Sequence, residues 1–447
     1  MYLNLNTRVF VHVDVKSMYV SCELIERPDL WGKPVVALSN NNGCIIAQND
    51  EAKAILEIYM CRPWFEVEDQ AKKLGVTHFA SHYEYYGHMS MKFVETLKQF
   101  APRLEVYSID ECFLDMTGMN VDFNEYGHVI KNTVFKWTRL PVRIGFGHTK
   151  TLAKLANDCA KRQARFNGVC DLTTMSKDDL DELMRSLPVK KVWGVGNKLA
   201  EHLKAHGVEN VLRLKNANPK RIRDRFGVVL ERTVKELNGE SWLEFDEDQP
   251  AAKQVMSSRS FGIRIDNLPV LAEAITFHAS NAAQRMRSKK LFTQTVCIFI
   301  QNSPYDQADY CDPALQIKLP APTNCSIKIT NAALWILKKI YVPGVYYLKA
   351  GVMLMDLVPE GGQQLDLFSY SAESTKESRL MATLDEVNDK YGRGTLKLAS
   401  EGINKSWAMR RDFKSPNYIG DWNELPIIGQ RHENKKIIVG LYNILNI

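Results

Sequence analysis

Asp110 and Glu111 are neighbours within "YSIDECFLDMTG" (residues 107–118). The rest of that run suits a buried strand: Tyr107, Ile109, Phe113, Leu114 and Met116 are apolar or aromatic, and Thr117-Gly118 closes it like a turn. Two adjacent ionised acids in such a place repel each other and lose hydration, which costs several kcal/mol unless something compensates. An apolar core offers no compensation, whereas a divalent cation does. Asp14, near the end of the alternating run "RVFVHVDV" (residues 8–15), is a third hard-oxygen ligand. Two metal ions held ~4 Å apart by such carboxylates can stabilise both the attacking and the leaving oxygen of a phosphoryl displacement. Successive side chains on a strand point to opposite faces, so Asp110 and Glu111 reach one metal pair only where the strand bends or ends. The residues alone leave two readings open, a metal-binding acid pair and a solvated hairpin tip.

The elements that must position these acids are legible in outline. Residues 8–15 read as a strand, "KPVVALS" (33–39) and "GCIIAQN" (43–49) as two more joined by a turn, and residues 51–60 as a helix. "SMKFVETLKQF" reads as a helix and "LEVYSID" as one strand. "PVRIGFGHTKTLAKLANDCAK" reads as strand, glycine turn and helix, with Leu152, Leu155, Ala156 and Cys159 as an apolar stripe and Lys150, Lys154 and Lys161 largely on the other flank. In "VKKVWGVGNKLAEHLKAHGV" (189–208), Gly194 and Gly196 permit a tight turn between two short helices. Its outward N–H groups, ringed by Lys190, Lys191 and Lys198, suit a phosphate backbone. Residues 237–252 read as an acidic linker. Four strands and two helices, at about 271–290 and 328–340, follow as a separate α+β domain of roughly 100 residues.

At 447 residues the chain has room for about three domains of ordinary size. Its net charge of +6 is too small to argue for a nucleic-acid partner, but the total hides its distribution. Residues 139–166 and 253–290 are basic blocks, and residues 356–390 carry eight acids against three bases. The nine cysteines have no CxxC pair, which excludes zinc spacing and suits reduced thiols. With no secretory-type N-terminus and no apolar run near the roughly 18 residues a membrane helix needs, the expectation is a cytoplasmic protein without membrane contact.

Three stretches together carry a resemblance. "DVKSMYVSCELIERPDLWGKPVVALSNNNGCIIAQNDEAKA", "YSIDECFLDMTG" and "GFGHTKTLAKLAND" resemble the Y-family, or translesion, DNA polymerases, in colinear order over residues 8 to about 420. "LERTVKELNGE" and the "QQLDLF…GRGTLKLASEGI…W…SPNY" tail are similar to the UmuC-type branch, the catalytic subunit of bacterial DNA polymerase V. The resemblance implies a multidomain α+β right-hand polymerase with a palm (1–19 and 84–186), small fingers (20–83) and a helix–hairpin–helix thumb (187–240). A linker (241–252), an α+β little finger (253–357) and a flexible C-terminal tail (358–447) complete it.

The resemblance also implies site residues. Asp14, Asp110 and Glu111, with the Val15 carbonyl, would bind two Mg²⁺; Asp115 would be structural. Tyr19 would be the steric gate under the sugar of the incoming nucleotide, with Met18 where Phe is usual. Lys53 of "NDEAK" and Lys161 would hold the triphosphate, with Asp50 turned to solvent. Gly194, Gly196, Lys198, Arg259, Arg285 and Arg287 would grip primer-template DNA. Gln364, Leu365, Leu367 and Phe368 would dock on the β sliding clamp, and the tail would meet a UmuD-type dimer and a RecA filament. The implied activity is error-prone DNA synthesis from deoxynucleoside triphosphates across damaged bases, in SOS-type damage tolerance.

Rival readings are a non-catalytic scaffold that binds primer-template ends, a dehalogenase-type phosphatase and a nucleotide cyclase. Loss of a metal acid would favour the scaffold, but Asp14, Asp110 and Glu111 are all present. The phosphatase needs an acid at position 16, which is Lys16, and the cyclase needs neither the glycine turn nor the clamp peptide.

Overall fold

The computed structural model describes residues 8–55, 58–245, 252–305, 309–360, 375–403 and 405–425. These form two units. The first comprises residues up to 39, 44–249 and from 413 onward; the second comprises 40–43 and 250–412.

The first unit opens with β1 (Phe10–Val15) and α1 (Met18–Glu26). Strands β2 (Val35–Leu38), β3 (Ile45–Gln48) and β4 (Thr77–Ala80) then form a small sheet of order β3-β2-β4, with helices α2 (Asp50–Lys53) and α3 (Glu68–Lys73) between β3 and β4. The helix expected over 51–60 stops at Lys53. Asn49 caps it by accepting from Ala52 N–H, but only one turn follows before the chain leaves the helical path.

After α4 (Tyr83–Leu97), β5 (Arg103–Val106) and β6 (Glu111–Asp115) form a hairpin, where a single strand over 104–110 was expected. Ser108 and Asp110 turn the chain: the Ser108 hydroxyl donates to Asp110 Oδ1 at 2.6 Å, and Ser108 N–H donates to the Glu111 carbonyl. Helix α5 (Phe123–Thr138), β7 (Val142–Gly147), α6 (Lys150–Arg162) and β8 (Val169–Asp171) complete a five-stranded sheet of order β5-β6-β1-β7-β8.

The two faces of this sheet differ in kind. Val11, Val13 and Val15 alternate onto one face and pack with Tyr86, Phe93 and Leu97 of α4 and Ile130 and Val134 of α5. His12 and Asp14 take the other face, which α6 covers. Two glycines permit that cover. A Cβ on Gly145 would lie 2.2 Å from Asn157 N and 2.3 Å from the Ala153 carbonyl, and one on Gly147 would lie 2.5 Å from Ala153 N. Helix α6 therefore sits nearly on the β7 backbone, capped by Thr149, and Asn157 donates to the carbonyls of His12 and Arg143.

Five further helices, α7 (Lys177–Ser186), α8 (Asn197–Ala205), α9 (Val211–Lys215), α10 (Pro219–Phe226) and α11 (Val228–Leu237), share one apolar cluster with α6. Gly194, in the turn before α8, has φ +84°, a conformation that a side chain would strain.

The second unit is a four-stranded antiparallel sheet of order β11-β10-β12-β9, built from β9 (Val255–Ile265), β10 (Leu291–Gln301), β11 (Ala314–Thr323) and β12 (Tyr347–Pro359). Helices α12 (Leu268–Arg287) and α13 (Ser326–Ile340) share its core. Part of the expected tail is folded here. Helix α14 (Thr375–Tyr391) buries Met381, and Trp407 lies in the core at 2% exposure.

Arg287 holds that arrangement together. Its guanidinium bonds both Asp385 oxygens, at 2.7 and 2.8 Å, and also donates to the Asn324 carbonyl and the Ser326 hydroxyl. With its side chain 8% exposed and its donors engaged, Arg287 does not face DNA as the sequence suggested.

Candidate active site

Asp14 and Glu111 are direct partners in the antiparallel register of β1 and β6, so their side chains leave the sheet on one face. Asp110 lies just outside β6, in the hairpin turn, and its carbonyl accepts the Val15 N–H at 2.9 Å. The geometric condition on the adjacent acids is thus met: the strand begins at Glu111, and Asp110 is free of its alternation. The hairpin-tip reading and the acid-pair reading describe the same place, because the tip abuts the end of β1. Asp115 occupies the other end of that register, opposite Phe10, where it accepts from Thr117 N–H and pairs with Arg103. It is too far along the strand to join the cluster.

The cations around the acids come from the covered face. Lys154 reaches Glu111 Oε2 at 2.9 Å, with Tyr107 and Trp193 rings at 4.3 and 5.1 Å from its ammonium. Arg143 is the β7 partner of Asp14. The Asp14 carboxyl is pushed up to about 6. Burial is the largest cause, the charges of Glu111 and Asp110 add to it, and Lys161 and Arg143 oppose it. His12, beneath, has Nε2 3.7 Å from Glu111 Oε1, and burial followed by the charge of Lys154 holds its pKa well below the ordinary value, so it is neutral. Sequence reasoning passed over Lys154, Arg143 and His12 as site residues. The signal for Lys154 was its seven-residue spacing from Lys161, two helical turns along one face of α6.

The donor set is hard oxygen, which suits Mg²⁺. Among the described residues, no three His, Cys, Asp or Glu side chains are grouped so as to hold a metal ion by themselves.

Tyr19, on α1, stacks on Tyr86 with ring centroids 4.7 Å apart and stands edge-on to Tyr83. Met18 is packed in the core at 3% exposure. Lys53 is exposed at the end of α2. Asp50 does not stand alone in solvent. It bonds Lys53 at 3.0 Å and Lys16, and although burial opposes this, the two lysines hold its carboxyl down at about 2. Lys198 is exposed after the Gly194–Gly196 turn. Arg285 is exposed on α12 and donates to the Met256 carbonyl, and Arg259 lies on β9. Gln364, Leu365, Leu367 and Phe368 lie outside the described residues.

Residues 13–158 match the impB/mucB/samB family, 177–208 its helix–hairpin–helix motif, and 252–367 its C-terminal domain. The chain is 41% identical to Protein UmuC of Salmonella typhimurium over 421 residues, covering 93% of this chain and 99% of that protein. The chain belongs to the impB/mucB/samB family of Y-family DNA polymerases. MucB of Escherichia coli is 39% identical over 94% of the polymerase, and DNA polymerase IV of Bacillus anthracis 27% identical over 89%. In fold the polymerase is similar to a Y-family DNA polymerase chimera of Dbh and Dpo4, with TM-score 0.63 and 17% identity over 78% of this chain and 99% of that one. Residues 378–428 match a domain of unknown function. The protein is thus a DNA-directed DNA polymerase of the translesion class. No described helix is long and apolar enough to cross a membrane.

Proposed function

We propose that this polymerase copies damaged template by two-metal nucleotidyl transfer, with low fidelity, as part of an SOS-type response in the bacterial cytoplasm. The observation that carries the reading is the register that sets Asp14 opposite Glu111, with Asp110 in the turn bonded to the end of β1 and the charge of Lys161 acting on Asp14. Asp14, Asp110, Glu111 and the Val15 carbonyl would hold two Mg²⁺, which would neutralise the triphosphate and favour ionisation of the primer 3′-OH.

The chain's own residues do the rest. Lys161 and Lys53 hold the triphosphate oxygens as point charges, so that the α-phosphorus faces the primer terminus and pyrophosphate can leave. The Asp50 ion pairs keep Lys16 and Lys53 together at the foot of α2. Lys154 holds Glu111, and neutral His12 beneath it adds no competing charge. Tyr19 closes the space that a ribose 2′-OH would need.

Primer-template DNA is gripped through the Gly194–Gly196 turn, Lys198, Arg259 and Arg285, without base readout. The "QLDLF" peptide, Gln364 to Phe368, suits a β sliding clamp groove, and a UmuD-type dimer and a RecA filament are the further partners proposed.

Primer extension on an abasic-site template with Mg²⁺ tests the reading, comparing wild type with the Asp110→Ala, Glu111→Ala double variant. The reaction is run alone and with clamp, UmuD-type partner and RecA. Bypass by wild type alone supports it. Equal synthesis by both proteins would mean that other carboxylates bind the metals.

A further inference from the structure

The last described stretch of the chain reaches the sugar-gate tyrosine through a buried polar chain. Residues 413–418 belong to the first unit, where Ala80 N–H donates to the Phe413 carbonyl at 2.9 Å and Lys414 bridges to Ala80 in parallel. Phe413 lies edge-on to His78 at 4.4 Å, and Tyr418 edge-on to Tyr85 at 5.8 Å. Between these two aromatic anchors, Ser415 is 5% exposed, and its hydroxyl donates to Glu23 Oε1 at 3.2 Å. The same hydroxyl is also within hydrogen-bond distance of His82 Nδ1, 3.1 Å away. The same Glu23 oxygen accepts from the Tyr86 hydroxyl at 2.7 Å, and Tyr86, fully buried, is the ring on which Tyr19 stacks at an interplanar angle of 22°.

Tyr86 therefore has a fixed hydroxyl end and a fixed ring plane. Its hydroxyl bond to Glu23 locks its rotation, and the stacked face sets how far the Tyr19 ring can recede. A gate that works by excluding one oxygen atom depends on that distance, since a ring able to yield by an ångström no longer clashes with a 2′-OH. Ser415 and Tyr86 share one carboxyl oxygen, so the seating of the 413–418 segment and the orientation of Tyr86 are linked through Glu23. The alternative is a polar cluster that only ties α1 to α4, which would alter stability and overall activity but not sugar choice.

We infer that Ser415, Glu23 and Tyr86 are positioning residues for Tyr19, and that the C-terminal segment braces the gate against ribonucleotides. This rests on the proposed role of Tyr19. It would give the end of the 378–428 region, whose family has no assigned function, a part in nucleotide selection.

The test compares incorporation of CTP and dCTP opposite template G by the full chain as wild type and as Tyr19→Ala, Tyr86→Phe, Ser415→Ala and Ser415→Thr. The readout is the CTP-to-dCTP ratio of kcat/KM. Equilibrium titration of both nucleotides onto enzyme with dideoxy-terminated primer-template gives the same ratio without turnover. Tyr19→Ala should raise the ratio by about a hundredfold, Tyr86→Phe and Ser415→Ala by roughly tenfold, and Ser415→Thr should restore the wild-type value. Ser415→Ala should leave dCTP use within about twofold of wild type. If Tyr19→Ala raises the ratio while Tyr86→Phe and Ser415→Ala leave it unchanged, or lower both nucleotides equally, the brace is refuted and the gate stands. If Tyr19→Ala leaves the ratio unchanged, the gate fails and the brace fails with it.

Discussion

Asp14 on β1 faces Glu111 on β6 across an antiparallel register, while the residue before Glu111 accepts a hydrogen bond from the residue after Asp14. The two strand ends that carry Asp14, Asp110 and Glu111 are thereby locked together. Burial, more than the neighbouring acids, raises the Asp14 carboxyl to about 6.

Cation affinity should therefore depend on pH. With the Asp14 carboxyl at about 6, the proton competes with the metal below that pH and not above it. Binding of Mn²⁺ to the polymerase, followed by electron paramagnetic resonance, should be nearly constant from pH 7 to 8. It should weaken by up to about tenfold per unit below pH 6. Asp14→Asn should bind weakly throughout, with a flatter profile.

Gly145→Ala tests the close seating of α6. A methyl 2.2 Å from the Asn157 nitrogen must push the helix off β7, because that nitrogen and the Ala153 carbonyl oxygen beside it are both backbone atoms. A loss of ~3 kcal/mol in urea unfolding is expected. Primer extension should fall further than unfolding alone predicts, since Lys154 and Lys161 ride on that helix.

Arg287→Ala and Lys198→Ala should separate architecture from DNA contact. Loss of Arg287 leaves Asp385 partly buried without its partner and should lower stability by roughly 3 kcal/mol. Anisotropy titrations of primer-template against salt should show the slope falling by about one for Lys198→Ala and unchanged for Arg287→Ala.

Glu23 should leave a signature in stability. Burial, only partly offset by its bonds from Tyr86 and Ser415, raises its carboxyl from 4.5 to about 7. The folded protein therefore holds this proton more tightly than the unfolded chain does. The group's contribution is fully present below pH 4.5, is lost as pH rises toward 7, and is level above that. Urea midpoints from pH 4.5 to 8 should decline by the equivalent of up to ~3 kcal/mol for wild type. Glu23→Gln, which has no proton to lose, should show a smaller decline.

Much of the site was legible because its chemistry is carried by residue types that are costly anywhere else. Adjacent acids in an apolar run, an acid ending a valine-rich strand and two glycines before a lysine-bearing helix each have few structural uses. The expected strand over 104–110 failed because alternation does not distinguish one strand from a hairpin whose turn is built by serine and aspartate side chains. The helix over 51–60 failed because propensity was read without its stop. Arg287 was misread because charge in a basic block says nothing about which partner, phosphate or Asp385, lies within reach.

The sequence by itself determined the acids, the α+β character, the polymerase family and the order of the parts, since these follow from local residue types and spacing. Only the tertiary structure decided which side chains meet. It paired Asp14 with Glu111, set Lys154 against Glu111, withdrew Met18 and Arg287 into cores, and brought Ser415 to Glu23 across 392 positions of chain. Contacts of that kind arise from strand register and from the close packing of whole elements, and neither has a local signature in the chain.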